Sequence, residues 1–288
     1  MRGRRACSLA NQRGKGRAVL VTGCSSGIGR AVALYLADHG FTVFATVRKE
    51  KDAKALSKVS RNLVPICPLD LSVPAQVAAA ARKVLQLVRE CGLSGLYAIV
   101  NNAGGGSIAP LELLRPEALR QELETRIVGP LALMQALLSS LRAAQGRIVW
   151  ILTPALIPIP FVGSIHVADF AVNCLARALA LELRPWHIPV VLVRCGGINT
   201  AAVKRTAQTL QRELQEWPPE RSRLYAQRLR QELAELAACN RKRSDPEVVA
   251  WVVYRALAGR RCRSRYTVGY MARTVPQGVL DRVMAPRG

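Results

Sequence analysis

The stretch Thr22-Gly23-Cys24-Ser25-Ser26-Gly27-Ile28-Gly29 stands between the apolar run Ala18-Val19-Leu20-Val21 and the helical pattern Arg30-Ala31-Val32-Ala33-Leu34-Tyr35-Leu36. A strand, a glycine-rich turn and a helix in that order cradle the phosphates of a dinucleotide. The glycines permit the tight turn, let backbone approach a pyrophosphate and let helix pack on strand. The helix N-terminus adds free N–H groups and a partial positive charge. Gly23, Ser25, Gly27, Ile28 and Gly29 are therefore the first candidate binding residues.

Elsewhere, apolar runs of strand length alternate with longer helical patterns, the order expected of a parallel sheet with helices on both faces. The first helix is expected to end near His39-Gly40, with strands at Thr42–Thr46 and Leu63–Cys67. A chain of 288 residues, half of them apolar, can bury one sizeable core. The expectation is α/β: a single Rossmann-type doubly wound parallel sheet over 17–288, after a basic tail at 1–16. A helical region at about 201–245, carrying Leu210, Leu214, Trp217, Leu224, Leu229, Leu233 and Leu236, would lid a ligand pocket.

A second apolar run, Leu96-Tyr97-Ala98-Ile99-Val100, ends in Asn101-Asn102-Ala103-Gly104. Together the two motifs resemble the short-chain dehydrogenase/reductases, whose cofactor turn has the form TGxxxGxG and whose fourth strand ends in NNAG. The resemblance runs from about Gly16 onward. It is nearest to the branch holding retinol, hydroxysteroid and hydroxybutyrate dehydrogenases, through Gly92-Leu93-Ser94-Gly95-Leu96, the charged helices after Thr200 and Arg265-Tyr266-Thr267-Val268-Gly269. It implies a nicotinamide cofactor contacted by Asn101, Ala103, Gly104 and Thr200, with Asp70 and Leu71 at the adenine. Past the second strand comes Val47-Arg48-Lys49, a basic pair where a ribose 2′-phosphate would lie, which favours NADP and leaves NAD open. The competing reading is that Arg48 and Lys49 merely solvate a loop.

In the family a tyrosine and a lysine spaced Y-x-x-x-K follow strand five, with a serine just past that strand and an asparagine on the preceding helix. Phe170-Ala171 and Leu179-Ala180-Leu181-Glu182-Leu183 fix the register here, so the tyrosine position is Ile165 and the lysine position Asp169. The serine position falls at Leu152, or at Thr153 if the loop Pro154–Gly163 is one residue short; the asparagine position reads Arg126. Isoleucine has no proton to transfer, and aspartate reverses the lysine's charge. Thr153 and His166 are the available substitutes, although His166 is turned by roughly 100° from its neighbour Ile165 on a helix. Asp169, three residues on, could hydrogen-bond with it. The sequence therefore reads as an NAD(P)-binding chain with impaired catalysis and a regulatory or binding role. The alternative is an NADP-dependent oxidoreductase of a lipophilic alcohol or ketone with a non-standard proton donor.

The formal charge is +23, from 42 basic and 19 acidic residues. Basic clusters lie at Met1–Arg5, Arg13–Arg17, Arg241–Arg243 and Gly259–Arg265. An anionic membrane surface is compatible with them; a nucleic acid is disfavoured, because no aromatic residues interleave the basic ones. A solvated basic surface is the plainer reading. The eight cysteines have no metal-ligand or redox spacing, so no metal site is expected and they read as reduced thiols of an intracellular protein. Cys24 sits where a helix N-terminus lowers a thiol pKa, though a small filler in the turn is the plainer reading. The strongest apolar run, Ile148–Val162, is interrupted by Thr153 and three prolines, so no transmembrane stretch is expected. The arginine-rich start leaves a mitochondrial destination open beside a cytoplasmic one. Ile157, Ile159 and Phe161 suggest a lipophilic ligand, and a homo-oligomer is compatible with the fold.

Overall fold

Ala18–Val21 is enclosed on both sides, and the chain is built outward from it. A computed structural model describes residues 14–153, 160–201, 210, 212–240, 243–259 and 262–269. Within these, β1 (Ala18–Val21), α1 (Gly27–Asp38), β2 (Thr42–Thr46), α2 (Glu50–Ser57), β3 (Leu63–Ile66), α3 (Pro74–Glu90) and β4 (Leu96–Asn101) make the first half. The second half holds α4 (Pro116–Leu123), α5 (Gly129–Ala143), β5 (Arg147–Leu152), α6 (Gly163–Glu182), β6 (Val190–Cys195), α7 (Pro219–Asn240), α8 (Pro246–Ala258) and β7 (Arg265–Val268).

The strands form one parallel sheet in the order β3-β2-β1-β4-β5-β6-β7. Parallel strands covered on both faces need apolar residues on both, which is why β1, β4 and β6 read as nearly continuous apolar runs. One face is covered by α1 and α8 through Val32, Leu36, Val249 and Val253. The other is covered by α3, α5 and α6 through Val77, Val84, Leu133, Leu137, Val172 and Ala176. Each fully buried valine or leucine side chain here contributes about 1.5–3 kcal/mol. Between β1 and β4 the strand order reverses, which is where sheets of this kind offer a ligand crevice at the carboxyl edge.

The expected doubly wound architecture is present, with β2 on its expected residues. Two expectations are corrected. By length and composition α6, twenty residues long, is apolar enough to span a membrane, although the strongest run was expected at Ile148–Val162. One of its faces packs on the sheet through Val172, Ala176 and Leu179, and it carries the buried Asp169, as a core helix does. In the segment expected to lid a pocket, Leu224 is 75% exposed and does not join the apolar stripe; Tyr225 takes its place beside Leu210, Leu214, Trp217 and Leu229. Residues 1–13, Ile157, Ile159, Arg241 and Lys242, and the side chains of Leu233 and Leu236, lie outside the described residues.

Candidate functional site

The glycine turn closes because two of its glycines adopt left-handed backbone, Gly23 at φ +74 and Gly27 at φ +58. A Cβ on Gly29 would overlap the Gly23 carbonyl and the Asn102 amide, so the first turn of α1 can approach the strand end only without a side chain there. The two loops are tied across the crevice. Asn102 Nδ2 donates to the Thr22 carbonyl at 2.9 Å and to that of Gly23 at 3.3 Å. Thr22 Oγ1 accepts from the backbone N–H of Asn102 at 2.9 Å and of Ala103 at 3.0 Å. The Ser26 side chain does not cap α1, whose first turn holds no acidic residue. Its leading N–H groups and positive dipole end therefore remain available to an anion. Thr200 lies against the turn, where a Cβ on Gly27 would come within 3.2 Å of the Thr200 Cβ.

Of the motif asparagines, Asn102 is the one that builds the crevice. Asn101 is buried in β4 opposite Trp150, and its amide group has no hydrogen-bond partner among the described residues. Cys24 is a buried filler, its Sγ 3.2 Å from the Val21 carbonyl, and burial pushes its thiol pKa up rather than down. Ser25 is exposed beside it, and Ile28 packs partly on the core.

At the far end of the crevice Arg48 leaves β2 for solvent, with Nη1 3.9 Å from Asp70 Oδ2. Asp70 is held by its neighbours: Oδ1 accepts from Ser72 N–H at 3.0 Å and from Ser72 Oγ at 2.7 Å. Its own N–H donates to Gln76 Oε1 at 2.7 Å. Leu71 is buried, and its carbonyl lies so close to Gly129 that no Cβ fits there.

The opposite end is charged. Arg126 stands in a widened π turn, Glu124–Val128, between α4 and α5. Pro130 cannot donate to the Arg126 carbonyl and Gly129 N–H reaches back to Glu124, which accounts for the wider turn. One guanidinium nitrogen of Arg126 donates to Glu122 Oε1 at 3.2 Å and another to Asp169 Oδ1. Asp169 is 0% exposed, and its second oxygen accepts from the Thr153 hydroxyl and from Thr153 N–H. Burial raises the Glu122 carboxyl pKa against the pull of Arg126 and of the nearby Gly105 N–H.

The Arg126 stem lies on Gly104, where a Cβ would come within 3.1 Å of Cγ and Cδ. Ile165 presses on Gly106, and Ser164 Oγ donates to the Ser107 carbonyl at 3.0 Å. Gly104, Gly106 and Ser107 are thus held from the π turn or α6. The structure brings Arg126, Thr153, Ile165 and Asp169 together there, whereas Leu152, 3% exposed, belongs to the core between the sheet and α6. Of the two residues the sequence left open for the serine position, Thr153 is the one whose hydroxyl meets this cluster. His166, 8% exposed, has its pKa lowered by burial first and by the nearby Arg126 second. Both Asp169 oxygens are engaged by Arg126 and Thr153, so the expected His166–Asp169 partnership is not the one that holds the carboxylate. Glu122 escaped the sequence reading, though its i,i+4 spacing from Arg126 was a usable signal.

Residues 17–211 match the family profile described as short chain dehydrogenase. Human 11-beta-hydroxysteroid dehydrogenase type 2 is 34% identical over 197 residues, covering 67% of this chain and 48% of that protein. The chain thus spans about half the length of that relative. The 3-amino-tetrahydro-pyrrolizinone reductase of Xenorhabdus hominickii is 34% identical over 211 residues, covering 73% of this chain and 71% of that one. Among solved structures, a short-chain dehydrogenase from Streptomyces avermitilis superposes with a TM-score of 0.74 at 23% identity, covering 93% of both chains. One from Burkholderia cenocepacia, in complex with NADP, gives 0.69 at 26% identity, covering 93% of this chain and 95% of that one.

Proposed function

The chain belongs to the short chain dehydrogenase family, and on that premise we propose that it binds NADP(H) without turning over the family's alcohols and ketones, acting instead as a nucleotide-dependent binding or regulatory protein. The cradle fits the cofactor: Gly23 and Gly27 supply the left-handed turn, Gly29 the close approach, and α1 an uncapped N-terminus for the pyrophosphate. Asp70 and Leu71 would flank the adenine, Arg48 the 2′-phosphate, and Ala103, Gly104 and Thr200 the nicotinamide half. The NADP held by the Burkholderia neighbour supports NADP binding. When bound, NADPH supplies a hydride.

What the site fails to supply is the proton. The observation that carries this reading is the Arg126–Asp169 ion pair. At the positions that the resemblance gives to the family's asparagine and lysine, it places a cation and an anion that neutralise each other. Ile165, at the tyrosine position, fills the space against Gly106 with hydrocarbon. Losing a positioned general acid costs on the order of a hundredfold to ten-thousandfold in rate. A neutral, buried His166 is a poor replacement.

One observation favours a second reading, an NADP-dependent oxidoreductase of lipophilic substrates. Thr153 hydrogen-bonds through its hydroxyl to the Asp169 carboxylate, so in the direction of alcohol oxidation the proton leaving the substrate could pass through that hydroxyl to the carboxylate. The hydroxysteroid dehydrogenase named among the relatives suits such a substrate class. Calorimetric titration with NADPH and NADH, followed by turnover on a panel of lipophilic ketones, separates the two. Binding without turnover supports the first reading, binding with turnover the second, and no binding defeats both.

A further inference from the structure

We propose that Asp70 is a specificity-determining residue that restrains nucleotide preference by holding Arg48, so that its neutralisation sharpens the preference for NADPH. The inference rests on the reading above, that NADP(H) lies in the cradle with its 2′-phosphate at Arg48.

Asp70 is a rigid carboxylate on the carboxyl side of β3. Three hydrogen bonds fix it, to Ser72 twice and to Gln76, and Ser72 Oγ is itself fixed by Gln121 Nε2 of α4 at 2.9 Å. Those bonds occupy Oδ1 and the backbone, leaving Oδ2 toward Arg48. The partners are unequal: the Arg48 side chain is 74% exposed and that of Asp70 28%. A fixed anion therefore draws a solvated cation toward itself.

The two nucleotides meet this pair differently. A ribose 2′-phosphate, with about two negative charges, must take Arg48 from Asp70 and then lie close to that carboxylate. A 2′-hydroxyl asks nothing of Arg48. Asp70 thus works against the discrimination that Arg48 provides, whereas a contact to adenine, the role the resemblance gives Asp70, is common to both nucleotides and leaves their ratio unchanged. Because the pair is solvated, the effect is small: Asp70→Asn should raise the NADPH-to-NADH affinity ratio by about three- to fivefold.

The test is titration of the full chain with NADPH and NADH, for the wild type, Asp70→Asn, Arg48→Ala and the double variant, with unfolding midpoints checked. Asparagine keeps an acceptor for Ser72 and so preserves the turn. The expected result is a raised ratio in Asp70→Asn that disappears in the Arg48→Ala background. An unchanged or lowered ratio would overturn the role of Asp70 while leaving NADP binding intact, and so would a gain that persists without Arg48. A wild type that binds neither nucleotide would remove the underlying reading as well.

Discussion

Asp169 and Arg126 meet in the interior, carboxylate to guanidinium, from two elements that nothing else in the sequence marks as partners. Their neighbours complete the arrangement, Glu122 on the far side of the arginine and Thr153 on the far side of the aspartate. An isolated buried charge is costly, so each member depends on the others.

Asp169→Asn leaves Arg126 buried with Glu122 as its remaining acidic partner. Breaking one side of such a pair costs about 3–5 kcal/mol, which for a chain of this size lowers the unfolding midpoint by roughly 10 °C. Thermal unfolding of the purified variant measures it. An unchanged midpoint would mean that the pair is not formed in the folded chain.

Rebuilding the family's pair alone should fail. Asp169→Lys sets an ammonium beside the Arg126 guanidinium, and Ile165→Tyr brings a ring onto Gly106, where the smaller isoleucine already presses. The double variant is expected to be less stable than the wild type and inactive. Adding Arg126→Asn removes the repulsion and should raise the unfolding midpoint above that of the double variant. Calorimetry and a ketone-reduction assay on both variants check the order.

His166 gives the chain a pH dependence of known sign. Its folded pKa lies below the ordinary 6.5, through burial and then through Arg126. The neutral ring is therefore the form the fold favours. Its contribution is complete above 6.5 and is lost as pH falls from there through the folded value. Glu122 acts in the opposite sense: its pKa is raised from 4.5, so its contribution improves on acidification. Comparing His166→Gln with the wild type isolates the histidine. The stability difference between them should shift toward the variant as the solution is acidified below 6.5, as read by chemical denaturation at several pH values.

Arg48→Ala should narrow the preference for NADPH over NADH by roughly tenfold or more, since a charge-assisted contact to phosphate contributes about 1.5–3 kcal/mol. Competition titrations give the ratio directly. Equal affinities in the unmutated chain would remove Arg48 from the account.

The sheet was legible because its strands are apolar on both faces and its turns carry glycines where the backbone needs positive φ, as at Gly23 and Gly27. Ile165 and Asp169 fall on α6, as the helical spacing of their neighbours suggested, since helical register is set locally. What the sequence could not show was who would face Asp169. Arg126 is 43 residues away and Thr153 is 16, and both reach it only through the packing of α6 against β5, β6 and the π turn. The choice between Leu152 and Thr153 depended on a loop length, and one residue moves a side chain from the sheet face to the crevice. Leu224 and Tyr225 differ by the same single step on α7, and helical periodicity alone chose the wrong one.

The most direct measurement of the central claim is a single-turnover experiment with the chain in excess over NADPH and a lipophilic ketone added, following the nicotinamide absorbance while fluorescence reports binding. The account predicts a saturable fluorescence change on NADPH binding and no ketone-dependent loss of the reduced nicotinamide. Stoichiometric oxidation of bound NADPH by the ketone, at a rate that survives repurification and is abolished by Thr153→Val or His166→Ala, would contradict it.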